Sequence, residues 1–111
     1  MTVNYRNKTV KNVGTTPVVV CTVPEGVQYL VAGLTLANIV GATVFADITL
    51  SSAEDNHEVY IIKRGKIPVS MTMVPVANET TLTLEAGDQL KIKSSTANSI
   101  DVVLTYMSLD P

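Results

Sequence analysis

The chain has 111 residues, enough for one domain with a two-layer core and too few for two cores. Charged residues make up only 16% and the formal net charge is −2, so there is no basic field to bind nucleic acid by counterion release. One cysteine cannot form an internal disulfide, and no apolar run approaches the roughly 18 residues of a membrane helix, so neither a disulfide framework nor a membrane partner is expected.

Helix signals are nearly absent, and short Val, Thr, Ile and Leu runs recur between turn residues. Residues 1–8 are polar and mixed and read as an N-terminal arm leaving a single domain of 9–111. Strands are expected at 9–13 and 18–23, the second holding Cys21 as a small buried hydrophobe rather than a nucleophile. Pro24 and Gly26 are spaced for a turn, and 29–37 is apolar on both faces, as in a central strand, with Gly33 marking a bend. After the break at Gly41, the stretch 43–50 alternates: Val44, Ala46, Ile48 and Leu50 share one face, opposite Thr43, Asp47 and Thr49.

The acidic stretch from Ser51 to Glu58 reads as a polar loop before a strand at 58–63, and Lys63, Arg64 and Lys66 around Gly65 form a solvated basic tip. Pro68 and Pro75 flank the 71–76 strand and confine it to an edge or a broken strand. A strand at 80–84 leads through Gly87 and Asp88 to 89–93, where Leu90 and Ile92 alternate with Gln89, Lys91 and Lys93. The last strand, 100–109, carries Ile100, Val102, Leu104 and Tyr106 on one face, and Val103, Met107 and Leu109 on the other. It is therefore apolar on both sides near its end, the pattern of a strand that a neighbour covers. These nine segments predict an all-β chain: an antiparallel β-sandwich, jelly-roll-like, of eight to nine short strands.

No residue pattern announces chemistry. His57 is the one histidine, set among Glu54, Asp55 and Glu58, and the acids lack the spacing of a calcium loop. No Ser or Cys sits in a nucleophile turn, and the aromatics Tyr5, Tyr29, Phe45, Tyr60 and Tyr106 are dispersed rather than stacked as a platform. The sequons at Asn7 and Asn78 carry little weight because residues 1–11 contain no secretion signal. The expectation is a non-enzyme with no catalytic, cofactor or metal residues.

Few charges and a positive mean hydropathy on a small domain point instead to surface covered by a partner. Candidate interface residues are Asn4, Tyr5 and Arg6 in the arm, because Tyr and Arg commonly anchor interfaces. Met71 and Met73 join them as adaptable contact residues.

Several phrases recur in a particular order. Val-Asn-Tyr-Arg-Asn opens at Val3, V-x-T-V-P-x-G follows from Val19 to Gly26, and G-L-x-L-A-N runs from Gly33 to Asn38. Tyr60-Ile61-Ile62-Lys63, Ile67-Pro68-Val69, L-E-A-G-D-x-L-K-I from Leu84 to Ile92, and a final Asp101 to Tyr106 strand complete the series. In this order they resemble small virion proteins of tailed phages, especially phages of marine cyanobacteria. The resemblance covers almost the whole chain, except that the 51–58 stretch stands where that family has a tighter turn.

What the resemblance implies is a capsid decoration or cement protein that binds the major capsid protein or other virion proteins. It would be made in the host cytoplasm, reside in the virion, and work as a homo-oligomer, with a trimer favoured. A neck, tail or baseplate component is the alternative, and a receptor- or glycan-binding sandwich is the reading from another class.

Overall fold

β-Branched residues in two-residue alternation fold into nine strands among the residues described, 2–76 and 81–110 of a computed structural model. They are β1 (Thr2–Val13), β2 (Val18–Thr22), β3 (Gln28–Asn38), β4 (Val44–Ser52), β5 (His57–Ile67), β6 (Thr72–Val76), β7 (Leu82–Leu84), β8 (Gln89–Ser94) and β9 (Ile100–Asp110). All pairings are antiparallel.

Sheet I has the order β1-β9-β3-β6, with β7 also pairing β3, and sheet II has the order β2-β8-β4-β5. β6 and β7 lie on the same edge of β3, opposite Leu34–Ala37 and Tyr29–Val31 in turn. Taken as one interrupted strand, they leave eight elements whose interleaved order is that of a jelly roll. The expected sandwich is present, with β3 internal to its sheet and the Pro75 strand on an edge.

The two sheets close on each other through the inward rows of each strand. Leu34 and Leu36 of β3, Leu104 of β9, Ile48 of β4 and Leu90 and Ile92 of β8 are fully buried between them. Burial of each such side chain contributes about 1.5–3 kcal/mol, which makes this interlayer the main stabilising element.

Three expectations are corrected. Residues 2–8 do not leave the body: Thr2 through Val10 pair with Asp110 through Val102 without a break, so the expected arm is the first half of an edge strand. The physical reason is that its odd residues continue the outer row of β9, Val3 opposite Leu109 and Tyr5 opposite Met107. The 51–58 stretch is also no long loop. β4 runs on through Ser52 and β5 starts at His57, so only 53–56 turn, with Asn56 at φ 55°.

The basic tip is strand as well. β5 continues through Lys63, Arg64 and Gly65 to Ile67, with Arg64 at φ 54° and its N–H donating to Asp47 Oδ1 at 2.7 Å. The sequon at Asn78 and the start of the strand expected at 80–84 lie outside the described residues.

Turn chemistry holds the open ends. Gly87 takes φ +87°, and Asp88 behind it accepts the Ala53 N–H at 2.9 Å and the Glu85 N–H at 3.0 Å. One buried carboxylate thereby ties the β4–β5 turn to the β7–β8 turn. At the other end Asn38 is buried: its Nδ2 donates to the carbonyls of Ala42, Ile67 and Pro68, and its Oδ1 accepts the Val40 N–H. That side chain joins the β3–β4 and β5–β6 connections across the mouth of the sandwich.

Candidate docking face

The outward rows of the two sheets differ in chemistry. In sheet II, Lys91 and Lys93 of β8 stand opposite Thr49 and Asp47 of β4. Thr49 and Ser51 in turn face Tyr60 and Glu58 of β5. Lys91 Nζ reaches Glu58 Oε2 at 3.5 Å, Arg64 lies over the Phe45 ring at 4.7 Å, and Lys63 over Tyr60 at 5.3 Å. A hydrogen bond from Thr49 and, to a lesser extent, the Lys91 charge hold the Glu58 carboxyl below its ordinary pKa. This face is a solvated lattice of both signs, worth little per pair.

Sheet I presents the opposite surface. Reading across β1, β9 and β3, Val3 meets Leu109 and Gln28, and Tyr5 meets Met107 and Leu30. Asn7 meets Thr105 and Gly33, and Thr9 meets Val103 and Thr35. Thr83, Thr72 and Val74 extend the same face on the far edge. Tyr5 is 77% exposed and Val103 44%. Along these rows, among the described residues, the charged strand positions are Asp101 and Lys11, both at one end, where Asp101 Oδ1 accepts the N–H of Asn12 in the β1 bulge that also holds Lys11. The remaining face is Val, Leu, Met, Tyr, Ala, Thr, Asn and Gln.

The other two cations of β1 turn the other way. Arg6 and Lys8 register with Tyr106 and Leu104, which face the interior, so both cations point toward the interlayer edge. Inward charge on an edge strand is a known guard against edge-to-edge pairing, and Pro75 performs a similar task on β6. Sheet I is thus protected at its edges and uncharged across its face except at the Lys11 and Asp101 end.

The expected interface residues are not brought together. Tyr5 lies on the uncharged face, whereas Asn4 and Arg6 occupy the opposite side of β1. Met71, 55% exposed, precedes β6 where its carbonyl accepts the Asn38 N–H, level with Ile100 and so, by strand rise, about 24 Å along β9 from the Tyr5 row. Met73 is a packing residue: a Cβ added to Gly65 would lie 2.6 Å from its Cε, so the thioether fills the space that glycine leaves between β5 and β6. Sequence reasoning missed most of the face because Met107, Leu109 and Leu30 look like core residues until the strand order is known.

Among the described residues, no three His, Cys, Asp or Glu side chains gather as metal ligands. Glu54 raises the pKa of Glu85 through a shared hydrogen bond and like charge, with Asp88 and Asp55 adding to it. Cys21 is only 2% exposed, and burial pushes its thiol pKa up, which makes it a poor nucleophile.

Comparison with known proteins adds little. No protein-family model matches the chain. No curated protein matches it either. A solved structure from Bacillus endospore appendages, described as forming a novel family of disulfide-linked pili, is similar over 96% of this chain and 86% of its own, with 14% identity and a TM-score of 0.49.

Proposed function

We propose that this chain is a non-enzymatic structural subunit of a tailed-phage virion, a decoration or cement protein that binds the assembled head. The observation that supports a structural role is the outer face of sheet I, uncharged except at one end, set against a charged outer face on sheet II. A sandwich with one face built for water and one for burial works by being covered. The virion setting rests on the ordered phrases from Val3 to Tyr106 and their resemblance to small phage virion proteins.

In this reading the protein adds buried area between shell subunits at about 25 cal/mol per Å², and many copies multiply the effect. Quantitative mass spectrometry of purified particles against the major capsid protein tests it. Hundreds of copies per particle are expected. A count near a dozen would move the subunit to the neck, tail or baseplate, and absence from the particle would overturn the virion reading.

A further inference from the structure

We infer that the outer face of sheet I is a self-association surface, on which a second copy of this chain packs face to face about a two-fold axis. The inference deepens the reading of this face as one that is covered, names its occupant, and does not depend on the virion assignment. It also replaces the trimer expected from sequence with a dimer.

Three observations point to a second copy. The first is charge. The Val3–Thr9, Val103–Leu109 and Gln28–Thr35 outward rows carry no charge in either copy, because the charged positions of this face, Asp101 and Lys11, sit together at one end, where the Asn12 N–H holds the carboxylate. Desolvating these rows carries no ionic penalty, whereas the sheet II face would bury Lys91, Lys93, Asp47 and Glu58.

The second is area. β9 spans 11 residues. At strand rise and spacing, a face of that length across β1, β9, β3 and the β6/β7 edge has a footprint of roughly 600 Å² per copy. Two such faces bury on the order of 1,200 Å², the lower bound of a specific interface.

The third is the guarding of the edges. Inward Arg6 and Lys8 on β1 and Pro75 on β6 disfavour extension of sheet I by strand addition, leaving the face as its route of association. Sheet faces pack about 10 Å apart at a shallow angle, and the Thr and Val rows around Thr105 present the low relief that such packing needs.

The test is sedimentation velocity of the full chain across the micromolar range. A species of twice the 11.9 kDa chain mass is expected. Thr105→Glu, at an exposed position in the middle of the face, should weaken dimerisation about a hundredfold by forcing two carboxylates into the contact. Val103→Lys should do the same. Val19→Lys, on the outer face of sheet II opposite Lys91, should leave the dimer intact.

The urea midpoint and near-ultraviolet dichroism of monomeric variants should match a folded chain. If Thr105→Glu fails to fold, Val103→Lys carries the test. A monomeric wild type, a trimer, a dimer that survives both face variants, or a monomer that binds only purified heads would each overturn the inference.

Discussion

At the residue scale, a few side chains work beyond their own strands. Asn38 and Asp88 each satisfy backbone groups from two separate connections, so one amide and one carboxylate hold the two open ends. Asp88 was legible, because an L-x-x-G-D-x-L phrase calls for an acid that caps neighbouring amides. Asn38 was not: its partners Ile67 and Pro68 are about thirty positions away, beyond any local pattern.

Tyr29 gives a residue-scale test. Its ring stacks on Tyr106 with centroids 4.4 Å apart, and burial, then the Tyr106 hydroxyl, raise its pKa to about 12. A raised folded pKa means the native state holds a proton that the unfolded chain releases near pH 10. The associated stability is therefore complete below about pH 10 and is lost as pH rises toward 12. Wild-type stability should fall across this window by about 2–3 kcal/mol more than that of Tyr29→Phe, measured by urea unfolding at successive pH values. Parallel curves for the two proteins would contradict this account.

At the element scale, the sequence located all nine strands but misjudged how far two extend. β1 was cut short because Asn4, Arg6 and Lys8 break apolar alternation, and those positions face the rim of the interlayer rather than its dry centre. β5 was cut short because Arg64 and Gly65 read as a turn, yet they form an irregularity that stays paired with Ala46 and held by Asp47. Such bulges keep a strand going while bending it.

The β1 result reverses one consequence. Removal of residues 1–8 from an arm would leave the fold intact, but removal of half an edge strand uncovers the ladder of β9. It also removes the Val3–Leu109 and Tyr5–Met107 pairs. The truncated chain should lose about 1–3 kcal/mol and aggregate on warming, as measured by chemical unfolding and light scattering. Unchanged stability would show that this half of β1 adds nothing to the sheet.

At the scale of the whole molecule, most strand pairings join distant parts of the chain, the β4–β5 hairpin being the local exception. β1 and β3 pair with β9, and β2 pairs with β8, so sheet I is not complete until β9 arrives and sheet II not until β8 does. Cooperative opening follows, and Cys21 reports it. The thiol is buried on β2 against the β8 strand. Its reaction with an aromatic disulfide reagent should be slower than in the unfolded chain by a factor of about 10³ or more, and should track global unfolding in urea. Fast labelling in native buffer would show that β2 opens on its own.

Alternation, turn residues and proline placement are local properties, and they were enough to give the sandwich class, the strand positions and the inward rows of β4, β8 and β9. Neighbour identity is not local. The outward Lys91 and Lys93 row of β8 and the outward Val103, Thr105 and Met107 row of β9 are equally visible in sequence. Only strand order sets the first beside Asp47 and Glu58 and the second beside Tyr5 and Leu30. The division into a charged face and an uncharged one is a sum over strands far apart in the chain, so it existed only once the tertiary pairing had chosen which outward rows lie side by side.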